Sequence, residues 1–268
     1  MIGFAESFLS WLAATLIPGF VGLIVLTWAN KLVAARYLAA FAFGIFLWFF
    51  VDTIGGSATL DVNSGFAGGT AQAGVVVLFV IGLLFFFWID RNRNIFSTDA
   101  AIGKYGLSIP VLVAIAVGIH GLGEGAAFGS TAYSTLSTSL LDAFGGVSAG
   151  VAYVLHKGLE PMMIGACYSV YLAGQSRSTG RWLRDVFTLS VIFTIPSLLG
   201  AITGYYINYD TTYFFALATG TSIYAAMRLL APLFKASEPF PSGDSIRIGV
   251  SLVLGFLAMY FSALFHSL

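Results

Sequence analysis

Long apolar stretches separated by short polar breaks run along the whole chain. A helix needs roughly 20 apolar residues to cross a bilayer core about 30 Å thick, whereas barrel strands are about ten alternating residues long. The stretches therefore predict eight transmembrane helices, at about 4–28, 33–54, 71–89, 106–129, 146–173, 185–206, 213–233 and 246–266. The predicted fold is an all-α polytopic membrane protein that forms a single transmembrane domain over residues 1–268.

The composition supports this prediction and excludes other classes of protein. Hydrophobic residues make up 58% of the chain, charged residues 9%, and the mean hydropathy is +0.91. A soluble domain carries about 25% charged residues. Such a chain is not a soluble globular, disordered or nucleic-acid-binding protein. Residues 1–10 contain no basic stretch and no obvious cleavage site, so we expect the first helix to be retained.

The basic residues indicate how the helices are oriented. Cytoplasmic loops carry an excess of Lys and Arg. The side of the predicted helices that holds most of the basic residues should therefore be cytoplasmic, and both termini should lie on the outer side of the cell membrane. The acids on the predicted outer side either form a weakly negative vestibule that attracts cations or are solvated loop residues. Those acids are Glu6, Asp52, Asp61, Asp142 and Asp210. Eleven of the twelve basic residues fall on the predicted cytoplasmic side, namely Lys31, Arg36, Arg91, Arg93, Lys104, Arg177, Arg181, Arg184, Arg228, Lys235 and Arg247.

Ionisable residues deep inside the predicted helices are concentrated in two of them. His120 and Glu124 lie in the fourth helix, and His156, Lys157 and Glu160 lie in the fifth. Residues four apart share one face of a helix. Because consecutive helices with a short connection are antiparallel neighbours, we expect two imidazoles and two carboxylates to meet near the centre of the bilayer.

Two nitrogen and two oxygen ligands suit Zn²⁺ and other borderline divalent cations. Two carboxylates also balance the charge of such an ion, as apolar surroundings require. We therefore predict a site for one divalent cation, with Zn²⁺ as the first candidate and Fe²⁺, Mn²⁺ and Cd²⁺ as others. The alternative is an ion-pair network in which Lys157 pairs with Glu160 or Glu124 and the histidines hydrogen-bond between helices.

Other residues near this cluster are candidates for further roles. Pro161 follows Glu160 directly and should break a backbone hydrogen bond and bend the fifth helix there. Asp52, at the outer end of the second predicted helix, is a candidate for the entrance. Met163 and Cys167, two turns beyond the ligand positions, are either soft ligands on an exit path or ordinary core residues.

In these residues the chain resembles the ZIP (Zrt-/Irt-like) family of divalent-metal transporters. Residues 120–125 (HGLGEG) are similar to the family's fourth-helix pattern His-Asn-x-Pro-Glu-Gly at the His, the Glu and the last Gly. His156 and Glu160 match the His-x-x-x-Glu of its fifth helix, and residues 197–201 and 218–224 resemble parts of its sixth and seventh helices. The resemblance implies an inverted 3+2+3 bundle of eight helices, with both termini outside and metal moving into the cytosol.

The chain also departs from the family pattern. The family often holds a second metal, with ligands at the positions of Gly121, Lys157 and Ser197 here, none of which is a good ligand. The resemblance therefore implies a one-metal site in which Lys157 takes the place of the second cation, compensates charge and takes part in gating. A family acid late in the seventh helix is Arg228 here, and the His-rich loop after the third helix is absent, since residues 90–105 contain no His.

We thus expect a divalent-cation transporter and not an enzyme. Its partners are divalent metal ions and the lipid bilayer, with no nucleic acid, and a homodimer is a candidate assembly. The competing hypotheses are an intramembrane zinc-dependent hydrolase and a metal sensor that moves no ion. A hydrolase needs an open water position on the metal and a general base, and the sequence offers no further intramembrane acid as that base.

Overall fold

A computed structural model of the chain describes residues 2–63, 70–90, 107–134, 138–172, 177–207, 210–233 and 244–264. Every regular element within these ranges is a helix, so the predicted all-α class is confirmed. The elements are α1 (Phe4–Ala29), α2 (Ala35–Asn63), α3 (Thr70–Ile89), α4 (Ser108–Gly118), α5 (His120–Tyr133), α6 (Leu140–Ala143), α7 (Val147–Leu159), α8 (Met162–Tyr171), α9 (Thr179–Tyr206), α10 (Thr212–Leu233) and α11 (Asp244–Leu264).

Within the described residues, six helical stretches are long and apolar enough to cross a membrane. One of them consists of α4 and α5 together, since only Ile119 separates these two helices. The predicted fifth and seventh spans correspond to α7–α8 and α10, which are not among the six. The six stretches are Phe4–Ala29, Ala35–Gly55, Gln72–Ile89, Ser108–Tyr133, Thr179–Tyr206 and Asp244–Leu264.

Two helices extend well beyond their predicted bounds. α2 continues to Asn63, although the sequence predicts a loop after residue 54. α9 begins at Thr179, so Arg181 and Arg184, which the predicted bound at residue 185 places outside the helix, lie in its first two turns. The Ser178 hydroxyl accepts a hydrogen bond from the Arg181 amide at 3.4 Å and caps the helix. Such a cap starts a helix outside the apolar segment, so hydropathy alone does not locate the end.

Several predicted positions lie outside the described residues. They include the side chain of Asp61 and most of the connection 90–105. The basic residues Arg91, Arg93, Lys104 and Lys235 also lie outside.

The fifth span is interrupted at Pro161, where the sequence predicts a lost backbone hydrogen bond and a bend. α7 ends at Leu159 and α8 begins at Met162. Proline has no amide hydrogen and cannot continue the helical hydrogen bonding. Across this break the Met163 amide donates to the Glu160 carbonyl at 3.1 Å, which is a tighter turn than that of an α-helix.

The remaining helices hold the two interrupted segments in place. α5 lies along α9, and α1 packs against α7, α8 and α9, while α2 packs against α10 and α11. Glycines allow the α5–α9 approach, because a Cβ on Gly125 would overlap the Ser197 carbonyl and one on Gly204 would overlap Ala126. This close packing fixes the backbone that carries His120 and Glu124.

Candidate metal centre

The structure brings together the four side chains that the sequence singles out. His120 is the first residue of α5 and Glu124 follows one turn later, while His156 and Glu160 lie one turn apart at the end of α7. Each residue offers one ligand atom, and all four atoms lie within 4.8 Å of one another. Three of the residues are buried, and the Glu124 side chain is 13% exposed.

The distances between the histidine nitrogens and the carboxylate oxygens are those of ligands around one small cation. Nε2 of His120 lies 3.3 Å from Oε1 of Glu124 and 3.6 Å from Oε1 of Glu160. Nε2 of His156 lies 3.7 Å and 2.8 Å from the same two oxygens. Ligand atoms around a tetrahedral ion with bonds of about 2.0–2.1 Å are about 3.3 Å apart. The observed separations bracket that value, so the ligand set fits Zn²⁺ or a cation of similar size.

Lys157 binds the opposite side of both carboxylates. Its fully buried ammonium pairs with Oε2 of Glu160 at 2.6 Å and with Oε2 of Glu124. The rings of Tyr153 and Phe193 lie 5.6 Å and 5.7 Å from Nζ, within the range of cation–π attraction. The alternative interpretation predicts ion pairs of Lys157 with Glu124 or Glu160, and these pairs are present. They use the Oε2 atoms, so both Oε1 atoms still face the histidines. Two carboxylates and one ammonium give the cluster one net negative charge when the imidazoles are neutral.

His120 is held in position by packing rather than by hydrogen bonds. Its ring packs edge-on against Phe49, with centroids 4.7 Å apart, and lies 5.5 Å from Phe215. Neither of its ring nitrogens has a hydrogen-bond partner among the described residues. A buried polar atom without a partner carries a desolvation cost, and a cation on Nε2 would remove part of that cost.

Asp52 lies beside this cluster. The membrane-compatible part of α2 is Ala35–Gly55, so Asp52 lies near the end of the span as predicted, although the helix itself continues to Asn63. Its Oδ2 lies 3.7 Å from Nε2 of His120, and its side chain is 46% exposed. A third carboxylate therefore adjoins the cluster, contrary to the expectation of no further acid there. The sequence does not reveal this contact, because it depends on how α2 packs in three dimensions.

A cavity of about 320 Å³ is lined by both Glu124 and Asp142. Aromatic rings form much of its wall, and none of its described lining residues is basic. Oδ2 of Asp142 accepts hydrogen bonds from the Thr138 hydroxyl at 2.7 Å and the Ser139 amide at 2.9 Å. The hydrogen bonds from Thr138, and to a smaller extent those from Ser139, hold the pKa of Asp142 below its ordinary value. The cavity thus presents an ionised carboxylate at its rim and another at the cluster.

Met163 and Cys167 lie in the largest hydrophobic core, with exposed fractions of 0% and 1%. The His/Glu group does not include Cys167, and neither residue lines the cavity next to Glu124. Their packing is that of ordinary core residues, and a role on an exit path stays a prediction.

The sequence analysis misses a buried ion pair between α3 and α10. Arg228, counted from the sequence among the cytoplasmic charges, is fully buried inside α10 and pairs with Asp90, which directly follows α3. The Tyr224 hydroxyl donates to the same Asp90 carboxylate at 2.6 Å. The sequence does carry one signal of this ion pair, an arginine inside an apolar helix, since a charge in that position needs a partner. Arg228 therefore does not count as a loop charge that sets orientation.

Comparison with protein-family models and with curated proteins found no match for this chain. The resemblance to the ZIP family therefore rests on the sequence alone.

Proposed function

We propose that this chain carries a divalent metal cation, with Zn²⁺ as the first candidate, across the cell membrane toward the cytosol, as a one-metal relative of the ZIP transporters. The convergence of His120, Glu124, His156 and Glu160, with ligand atoms within 4.8 Å, is the observation that carries the proposal. A buried cluster with one net negative charge attracts a divalent cation from water without binding it as firmly as a cluster with two uncompensated carboxylates. Such intermediate affinity suits an ion that must also leave.

The interrupted helix at Glu160 supports movement of the ion through the site. Pro161 separates α7 from α8 immediately after Glu160, whereas α4 and α5 run on through Ile119 as one membrane-compatible stretch. Discontinuous helices at the centre of a membrane are typical of transporters. The proposed topology counts α7–α8 as the fifth span and α10 as the seventh, which gives eight spans with both termini outside.

Carboxylates provide the proposed outer route to the site. Asp142 lies at the rim of the cavity that reaches Glu124, and its ionised state favours cations. Asp52, 3.7 Å from His120, offers a further oxygen beside the ligands. A cation that sheds its water exchanges it stepwise for these oxygens and then for the histidine nitrogens.

Lys157 is proposed to replace a second cation. Its ammonium bridges Oε2 of Glu124 and Oε2 of Glu160, which leaves one oxygen of each for the transported ion. A second divalent ion at that position would meet a fixed positive charge. The proposal therefore specifies one metal ion per chain.

One observation favours a different function, an intramembrane zinc-dependent hydrolase. Asp52 supplies an acid within 3.7 Å of His120, and a hydrolase would use such an acid as its general base. Catalytic zinc usually keeps an open water position beside three protein ligands. Here Lys157 occupies Oε2 only, so all four ligand atoms remain available for the metal and the transport proposal is preferred.

Metal flux into proteoliposomes that contain the purified protein tests the proposal. We expect saturable uptake of Zn²⁺, Fe²⁺, Mn²⁺ or Cd²⁺ that disappears in the double variant Glu124→Ala/Glu160→Ala. Asp210→Asn is the matched control, since Asp210 lies at the start of α10 and does not line the site. Stoichiometric metal binding by the wild-type protein without any flux would refute transport and favour the hydrolase or a sensor.

A further inference from the structure

A second cavity, of about 250 Å³, lies where the end of α1, the end of α8 and the start of α9 meet. It belongs to the side of the protein that the basic residues predict to be cytoplasmic. Its lining includes Lys31, Ser169, Arg177, Thr179 and Trp182, and none of these is part of the metal centre.

Positive charge predominates around this cavity. Arg181 and Arg184 follow on the first two turns of α9, and together with Lys31 and Arg177 they make four basic residues. The nearby acid is Asp185, whose carboxylate pairs with Arg177 and accepts from the Tyr168 hydroxyl at 3.2 Å. Within the described part of the chain Lys31, Arg181 and Arg184 form no ion pair, and Lys31 is exposed.

Two residues of the cavity lining carry neutral donors. Ser169 is 4% exposed, and its buried hydroxyl has no hydrogen-bond partner in the described ranges. Thr179 is the first residue of the 28-residue helix α9, and the amides of a helix N-terminus point outward with partial positive charge. A buried hydroxyl without a partner carries a desolvation cost that an acceptor in the cavity would remove.

We propose that this cavity binds the phosphate group of an anionic phospholipid in the cytoplasmic leaflet. Lys31 supplies charge, the Ser169 hydroxyl and the Thr179 amide supply hydrogen bonds, and Trp182 lies where an indole meets the headgroup region. Basic cavities between helices on the cytoplasmic side suit anionic headgroups. A soluble phosphate has the same chemistry and is the other source to be tested. The proposal requires a membrane protein but does not depend on metal transport.

Lipid binding to the purified full-length chain in neutral detergent tests the proposal. Native mass spectrometry would count bound phosphatidylglycerol and phosphatidylcholine over a range of lipid concentrations. We expect one preferred phosphatidylglycerol per chain, with the dissociation constant raised about fivefold by Lys31→Gln and about fivefold by Ser169→Ala. Arg184→Gln removes the same charge outside the cavity lining and is expected to change binding less than twofold.

Inorganic phosphate forms the second arm of the experiment. If phosphate binds in a manner that depends on Lys31 and Ser169 while phosphatidylglycerol does not, the site is a phosphate site but the lipid assignment is wrong. Equal binding of the two lipids, or equal weakening by Lys31→Gln and Arg184→Gln with no effect of Ser169→Ala, would overturn the site altogether. Because Lys31 is exposed, its variant keeps the test decisive even if Ser169→Ala fails to fold.

Discussion

The ammonium of Lys157 pairs with Oε2 of Glu160 at 2.6 Å, while Oε1 of the same carboxylate faces His156 at 2.8 Å. One carboxylate therefore serves a fixed cation on one side and the candidate metal position on the other. Glu124 is divided in the same way between Lys157 and His120. Replacing Lys157 takes away the cation at the Oε2 atoms and leaves the Oε1 atoms in place. It therefore separates the effect of the fixed charge from that of the candidate metal ligands.

Lys157→Met removes the fixed cation at nearly constant volume. Breaking a buried ion pair costs about 3–5 kcal/mol, so we expect the metal-free variant to unfold at a markedly lower temperature than the wild type. Zn²⁺ should stabilise the variant more than the wild type, because two uncompensated carboxylates then face the ion. Thermal unfolding with and without Zn²⁺ measures both effects. Unchanged zinc affinity in the variant would refute the charge-compensating role.

Glu124→Gln and Asp52→Asn distinguish a ligand from a neighbour. Removing one of four ligands should weaken Zn²⁺ binding about a hundredfold, because each ligand supplies about a quarter of the total binding free energy of a four-ligand site. Asp52 is not one of the four candidate ligands, so Asp52→Asn should cost about tenfold, the lower end of the range for a residue beside metal ligands. Equilibrium titration of the purified protein with Zn²⁺ measures both constants. Equal losses in the two variants would mean that Asp52 is itself a ligand.

Asp142→Asn tests the outer cavity. We expect a higher KM for metal uptake with an unchanged maximal rate, because the residue attracts the cation before it reaches the ligands. The pKa of Asp142 lies below its ordinary value, so the carboxylate stays ionised as the pH falls from 7 to 5 and loses its charge only in stronger acid. The variant should therefore raise KM by the same factor at both pH values. Asp210→Asn, outside the cavity, serves as the control, and a KM effect of equal size in that variant would contradict the assignment.

Gly125→Ala tests the packing that positions α5. An added Cβ would overlap the Ser197 carbonyl of α9, so we expect a loss of about 1–3 kcal/mol in stability and weaker metal binding. Gly249→Ala is the matched control, because nothing lies within 4 Å of a Cβ at that exposed position of α11. There alanine should stabilise the helix by about 0.5–1 kcal/mol. Similar unfolding temperatures for the two variants would count against the close α5–α9 contact.

Local patterns in the sequence predict much of this fold. Apolar runs mark the six membrane-compatible stretches of the described chain. Pro161 marks the break between α7 and α8, because the missing amide acts within one turn. The ends of α2 and α9 are not predictable from hydropathy, since a cap such as Ser178 extends a helix into polar sequence.

The grouping of the four candidate ligands is predictable for a similar reason. The spacing of four residues places His120 with Glu124, and His156 with Glu160, on single helix faces. Contacts between distant segments are not predictable in this way. The approach of Asp52 to His120 and the pairing of Arg228 with Asp90 arise only when separate helices pack together.

The stoichiometry and coordination of bound metal test the central claim most directly. X-ray absorption spectroscopy of the purified chain with Zn²⁺, combined with a count of metal per chain, reports the ligand types and their number. The proposed site predicts one Zn²⁺ bound by two histidine nitrogens and two carboxylate oxygens, and loss of that signal in Glu124→Ala/Glu160→Ala. Two ions per chain, a sulfur ligand from Cys167, or no stoichiometric binding would contradict it.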